Sequence, residues 1–464
     1  MLNFCGKTVA RGTLGLLGAI LVLLCSGCGN DGQTGKKSDR CGELATLEYA
    51  RYLKMGNLCD ENLLEIRSVV GRDTLVKQFL LRKRAEGDGA SAVSLTPGHA
   101  KVTVLHVPLK RVVALSSAQV GFLLRLGLMD RIAAVGEGKY VADSALYVRV
   151  QKGETAEVGN GTSISLEKIL AARPDLVMDF ATGGSQDDYE RINSLGIPLM
   201  LTSEWQEEHP LAKIEWIKLF GKLFGVEALA DSIYEQSKRE YLKASNGGVA
   251  GGQHLEQSSL VRMATRVGGN PARGGGEQQR VSEGETSPNK SEVEIASPSA
   301  RNDTLSSFVS RLSSKSCPRV IAGMNYGGVW YAPGGNSFTA HLIKDAGGCY
   351  LWASDTSREL TFTLEEIMLV ADSADVWVNP GAFSSAEDIL AAEPRIKHIR
   401  AFREKRVCQN DGRKGPGGGN DFYESAVAYP AELLQSLRNC IQNATNGADS
   451  VRKEFDWYRN IFIF

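Results

Sequence analysis

The chain has 464 residues, 42% hydrophobic and 7% aromatic, which is enough for two to three domains with a large core. A formal net charge of -1 supplies no basic field for a phosphate backbone, and no nucleic-acid motif stands in the sequence, so nucleic acid is excluded as a partner. Beyond Cys5, Cys25 and Cys28, the nine cysteines include Cys41, Cys59, Cys317, Cys349, Cys408 and Cys440; with no CxxC among these, zinc-ribbon and thioredoxin-like chemistry lack their spacing.

At the start of the chain, Lys7 and Arg11 precede an apolar run from Leu14 to Leu24 that ends in Cys25-Ser26-Gly27-Cys28. This layout predicts a signal peptide over 1–27. At about 11 residues the run is shorter than the roughly 20 that span a bilayer. Ser26 and Gly27 before Cys28 resemble a bacterial lipobox, with Cys25 departing from the leucine that pattern prefers. The resemblance implies lipidation of Cys28, a tether over 28–40, and a periplasmic or cell-envelope location on a membrane; simple cleavage and a retained anchor are the alternatives. Six further cysteines in such a compartment allow 15 disulfide pairings, beside the alternative of buried free thiols.

From Glu48 to Lys83, period-two runs on either side of Gly71-Arg72-Asp73 predict a β-hairpin. After the loop 87–98, short apolar strands alternate with amphipathic helices. Strands are expected at 111–115, 132–135, 175–178 and 197–201, and helices at 118–126, 166–172 and 188–195. Such interleaving indicates a parallel sheet covered on both faces. A long helical stretch over 211–242 reads as a connector, with Gly225 a place where it would kink into two helices. The stretch 246–302, rich in Gly, Ser, Glu, Arg and Gln, lacks the apolar surface to offset ordering and is expected to be disordered.

A second alternating region then begins, with strands expected at 319–322, 375–378 and 406–408 and helices at 337–345, 364–370, 386–391 and 431–441. The two halves repeat: Ser165-Leu166-Glu167-Lys168-Ile169-Leu170 runs into Pro174-Asp175, and Thr363-Leu364-Glu365-Glu366-Ile367-Met368 runs into Ala374-Asp375. The predicted fold is therefore α/β, two similar lobes with mostly parallel sheets flanked by helices and joined by a long connecting helix. The expected division is an N-terminal lobe with its preceding hairpin over 41–205, the connector over 206–245, the insertion over 246–304, a C-terminal lobe over 305–445 and a tail over 446–464. Ligands of such proteins usually bind between the lobes.

Several segments in this order carry a family resemblance: Lys110-Arg111-Val112-Val113-Ala114-Leu115-Ser116, Leu126-Gly127-Leu128-Met129-Asp130-Arg131-Ile132, and Ile169-Leu170-Ala171-Ala172-Arg173-Pro174-Asp175. Trp330-Tyr331-Ala332-Pro333-Gly334-Gly335-Asn336-Ser337 and Gly418-Gly419-Asn420-Asp421-Phe422-Tyr423-Glu424 extend it into the second half. Together they resemble the periplasmic substrate-binding proteins of siderophore, haem and cobalamin importers, over roughly Val102 to Ile441 without the insertion. The resemblance implies a monomer with no cofactor of its own, partnered by an ABC permease dimer, with an iron siderophore, haem or cobalamin as ligand and small closure around it. It also implies that Glu167 and Glu365, one per lobe, dock into the permease, with Glu366 an adjacent competitor. A carboxylate at a helix N-terminus is alternatively sufficient reason for either residue.

Trp330, Tyr331, Phe422 and Tyr423 are expected in glycine-flanked loops, where flat faces suit a planar macrocycle or a catecholate and Asn336, Asn420 and Asp421 orient its polar rim. The alternative is that these aromatics plug space between loop and lobe. On the other lobe Ser116, Ser117 and Gln119, with Tyr140 and Trp205, are the candidates. The six histidines are dispersed and show no HExxH, which leaves a convergence of His106, His209 and His341 on bare metal as a weaker reading. No GxSxG, Walker loop or Rossmann fingerprint follows a strand, so a binding protein without catalysis is expected. The competing readings are a surface haem or corrinoid capture lipoprotein without a dedicated permease, and an enzyme acting on its bound chelate.

Overall fold

The computed structural model describes residues 43–58, 61–84, 102–185, 187–248, 317–446 and 456–462. The leader, Cys28 and its tether, Cys41, Cys59, the loop 87–98 and the insertion from 249 onward lie outside the described residues.

The first sheet has five strands in the order β1 (Glu43–Thr46), β2 (Leu53–Leu58), β3 (Glu61–Val70), β4 (Asp73–Lys83) and β5 (Val102–Val107). Strands β3 and β4 pair antiparallel with Val70 opposite Asp73, which leaves Gly71-Arg72 as a two-residue turn where the sequence predicts a hairpin. Gly71 takes a φ of 61°, which a tight hairpin requires and glycine adopts at little cost. The sheet is wider than the expected hairpin because β5 adds to β4 in parallel. Alternation sends Leu64, Ile66, Phe79 and Leu81 into the main core and Leu63 and Leu80 to a small cluster on the opposite face.

This sheet is held to the connector through its main chain. The buried Glu215 carboxylate accepts the amides of Glu48, Tyr49 and Ala50 at 2.8–3.0 Å. Glu207 accepts those of Arg51 and Tyr52 at 3.0–3.1 Å, and the Trp216 indole at 3.0 Å. Burial pushes the Glu207 carboxyl up, against the pull of these donors.

The first α/β lobe runs β6 (Val112–Ala114), α1 (Ser117–Arg125), β7 (Ile132–Val135), α2 (Ser144–Gln151), β8 (Ala156–Glu157), α3 (Leu166–Ala172), β9 (Leu176–Asp179), α4 (Tyr189–Asn193) and β10 (Leu199–Leu201). Its strands lie in the order β10-β9-β6-β7-β8, all parallel. The central strands are buried throughout, as a sheet covered on both faces demands. Helix α2 is absent from the sequence-based expectations because only Leu146 and Val150 of its residues are buried, too few for a visible stripe.

The expected single connector is three helices: α5 (Pro210–Glu215), α6 (Ile217–Phe224) and α7 (Glu227–Gly248). Gly225, at φ 70°, closes α6 in the left-handed conformation and turns the chain at the kink the sequence offered. The Gly221 position leaves room for Ala230 of α7, since a Cβ there would stand 2.6 Å from the Ala230 methyl.

The second lobe runs β11 (Arg319–Ala322), β12 (Met324–Tyr326), β13 (Val329–Pro333), α8 (Phe338–Asp345), β14 (Cys349–Tyr350), β15 (Glu359–Thr363), α9 (Leu364–Ala371), β16 (Val376–Val378), α10 (Ala386–Ala392), α11 (Arg400–Arg403), β17 (Val407–Gln409), α12 (Pro430–Asn446) and β18 (Arg459–Asn460). Its main sheet is ordered β14-β11-β16-β17-β18, parallel except for β18. A second, antiparallel sheet of β12-β13-β15 stands beside it, where the sequence reading placed a loop.

Among the described residues two disulfides, Cys317–Cys349 and Cys408–Cys440, brace this lobe. The repeat also has a structural signature. Asp175 accepts the amide of Arg111 at 3.1 Å ahead of β6, and Asp375 accepts the amide of Arg319 at 2.8 Å at the start of β11.

Candidate ligand site between the lobes

The two lobes meet through segments that follow the C-terminal ends of their parallel strands. Gly415 and Gly419 lie so close to Ala142 and Tyr140 that a Cβ on either would fall within 2.4 Å of their backbone. Glu424 crosses to the first lobe, where its carboxylate accepts the amides of Ala142 and Asp143 at 2.8 Å, just ahead of α2. Only 1% of Glu424 is exposed, and burial pushes its carboxyl up to about 7, with Asp421 and Asp143 adding repulsion.

Beside this contact is a small pocket lined by Ser116, Ser117, Gly136, Glu137, Tyr140, Asn160 and Glu424. It encloses about 30 Å³, room for a water molecule or two. The larger feature is its surroundings. Among the described residues the exposed aromatic side chains are Tyr140, Phe180, Trp205, Tyr326, Tyr331 and Tyr423. Tyr140 follows β7, Phe180 follows β9 and Trp205 follows β10, while Tyr326 and Tyr331 stand on the hairpin after β11 and Tyr423 comes after β17. All six therefore belong to segments downstream of parallel-strand ends, the edge at which open α/β sheets bind ligands.

Of the residues singled out in the sequence, Ser116, Ser117 and Tyr140 come together in the pocket, next in space to the 420–424 segment. Others are committed internally. Gln119 is fully buried, its amide donating to Asp179 O at 3.1 Å and Thr202 Oγ1 at 2.9 Å. Asp421 is buried and holds the Trp457 indole at 3.0 Å, the Ser425 hydroxyl at 2.6 Å and the Arg413 guanidinium at 3.1 Å. Asn420 accepts the Phe422 amide at 3.0 Å, Asn336 donates to Thr356 O at 3.0 Å, and the half-buried Phe422 ring packs edge-on to Tyr423 and Tyr458.

Trp330 requires a correction. It lies in strand β13 and not in a loop, it is fully buried, and its indole donates to Ala322 O at 3.2 Å while its ring packs on Trp377 at 5.2 Å. Strand alternation explains the difference, because it turns Trp330 inward and leaves its neighbour Tyr331 exposed. Glu424, Asn160 and Phe180 were missed among the candidates, since nothing local marks a lone carboxylate, amide or phenyl ring as facing another lobe.

Glu167 and Glu365 occupy the same helix position, each one residue inside the first turn, in α3 capped by Ser165 and α9 capped by Thr363. Both are exposed. Glu365 pairs with Arg395 at 2.7 Å on the surface. Glu366, by contrast, turns back to accept the Thr363 amide at 2.8 Å and completes a capping box.

Elsewhere, His209 and His341 meet edge-on with rings 5.5 Å apart, and burial depresses His209 to about 4. The Nδ1 of His209 accepts the Leu211 amide at the head of α5. Among the described residues no group of three His, Cys, Asp or Glu side chains is placed to hold a metal ion.

Residues 112–247 match the family model described as periplasmic binding protein. Over this stretch the chain is similar to the periplasmic binding protein family. An uncharacterized lipoprotein of Methanocaldococcus jannaschii is 19% identical over 378 residues, 79% of this chain and 72% of its own length. A vitamin B12-binding protein of Vibrio parahaemolyticus is 27% identical over 119 residues, 26% of this chain and 41% of its own. Among solved structures, a possible iron-binding (periplasmic solute-binding) protein of Staphylococcus epidermidis aligns at TM-score 0.45 and 13% identity, covering 72% of this chain and 99% of that one.

Proposed function

We propose that this protein is the lipid-anchored receptor of an ABC importer, which captures an iron chelate, haem or corrinoid between its lobes and delivers it to the permease. The observation that carries the reading is the placement of every exposed aromatic among the described residues downstream of a parallel-strand end. Flat apolar faces left in water on two facing edges suit a planar or aromatic-rimmed chelate, whose burial they would share. The 30 Å³ pocket is too small for such a ligand, so the chelate is proposed to rest against Tyr140, Trp205, Tyr331 and Tyr423, with Ser116 and Ser117 at its polar rim.

Within this class a corrinoid has the support of the 27% identity to a vitamin B12-binding protein. Anchoring at Cys28 draws on the lipobox-like sequence and on the likeness to a lipoprotein. Delivery draws on Glu167 and Glu365, exposed at one matching position in each lobe. The division into leader, tether, two lobes, connector and insertion is proposed with the boundaries given above.

Titration of the purified full chain with haem, a cobalamin and ferric siderophores, followed by absorbance and tryptophan quenching, tests the reading. Saturable one-to-one binding of one of them, weakened by Tyr140→Ala and Trp205→Ala, is expected. Absence of binding to all three would overturn it.

A further inference from the structure

A structural element outside the family match borders the aromatic rim. The match begins at residue 112, whereas the β3-β4 turn lies at 71–72. That turn packs on the loops that follow β9 and β10. Gly71 donates its amide to Thr182 O at 3.3 Å, and a Cβ on Gly183 would stand 2.1 Å from the Gly71 nitrogen, so two backbones touch there with no side chain between. Gln206 mimics a neighbouring strand: its Oε1 accepts the Val69 amide at 3.0 Å and its Nε2 donates to Val69 O at 2.6 Å. The hydroxyls of Ser68 and Ser203 meet at 2.7 Å, both buried.

The turn is thus fixed beside the segments that carry Phe180 and Trp205. At its tip Arg72 is exposed, and no ion pair engages it among the described residues. A guanidinium stays charged at any working pH and presents a planar fork of donors that fits carboxylate and phosphate groups.

We propose that the Gly71-Arg72-Asp73 turn is an outer wall of the ligand site and that Arg72 binds an anionic peripheral group, a carboxylate or a phosphate, of the bound chelate. The proposal rests on the reading of the cleft as a chelate site. Asp73, also exposed, sets the opposite sign next to it and gives the test a second direction.

The full chain is titrated with two pairs of probes: haem against its dimethyl ester, which lacks free carboxylates, and cyanocobalamin against dicyanocobinamide, which lacks the nucleotide loop with its phosphodiester. Arg72→Gln is expected to weaken the charged member of the bound pair about tenfold and leave its neutral partner unchanged, while Asp73→Asn strengthens the charged member. Loss with haem identifies a carboxylate and loss with cyanocobalamin a phosphate. Equal affinity of Arg72→Gln and the parent chain for the charged probe, or an equal loss for both members of a pair, would overturn the proposal while leaving the chelate reading intact. Failure of the parent chain to bind these probes would overturn the proposal, and failure with the ferric siderophores as well would overturn the chelate reading.

Discussion

The carboxylate of Glu424 and the amide of Asp143, 281 residues apart in sequence, are 2.8 Å apart in space, and this hydrogen bond spans the two lobes. Because burial raises the folded-state value to about 7, above the usual carboxylate range, the folded chain holds a proton that the unfolded chain releases. Glu424 therefore contributes most to stability below about pH 4.5, and that contribution is lost as pH rises to about 7. Asp179, raised to about 7 by burial, adds a slope of the same sign. Thermal melts between pH 5 and 8 are expected to show the parent chain losing stability with rising pH. Glu424→Gln would remove part of that slope and Glu424→Gln with Asp179→Asn most of it.

Glu365 and Glu366 are separable by melting. Glu366→Ala removes half of a capping box and is expected to cost about 1 kcal/mol. Glu365→Ala loses an exposed pair with Arg395 and is expected to leave the melting temperature within error. Charge reversal at Glu167 and Glu365 together is expected to abolish uptake in cells while ligand binding in solution is retained. Unchanged uptake would remove the docking role.

Trp330→Ala empties a space in the core between Ala322 and Trp377, and is expected to destabilise by about 3–5 kcal/mol. Tyr331→Ala, on the exposed face of the same strand, is expected to cost under about 1 kcal/mol and to act on ligand affinity instead. Chemical denaturation of both variants beside titration of each distinguishes the two residues.

Each disulfide closes a loop of 32 residues, which by chain entropy is worth about 3–4 kcal/mol. Reduction under mild denaturant is expected to release thiols from Cys317, Cys349, Cys408 and Cys440 and to lower the midpoint. Mass mapping of the alkylated peptides checks the pairing.

The α/β core was legible because its signals are local. Apolar runs such as Ile132–Val135 and capped helices such as Leu166–Ala172 lie where the sequence reading put them. The Ser165 and Thr363 caps and the Asp175 and Asp375 clasps follow from a repeat visible in the letters alone. What was not legible depends on partners remote in sequence. Trp330 reads as a loop aromatic between glycines, and only its pairing with Asn325 and Phe362 makes it a strand residue. Nothing local marks Glu207 and Glu215 as partners of residues 48–52, more than 150 positions away in sequence.

That last arrangement has a bearing on how the chain tolerates change. Two carboxylates grip the amides of five consecutive residues, Glu48 to Tyr52, so the first sheet is fastened by groups that every amino acid except proline carries. Substitutions at the exposed Glu48 and Arg51 leave these amides in place, whereas proline at 49 removes one of them and loss of either acid releases its share. The exposed letters of the attachment are free to drift, and its two anchors are not.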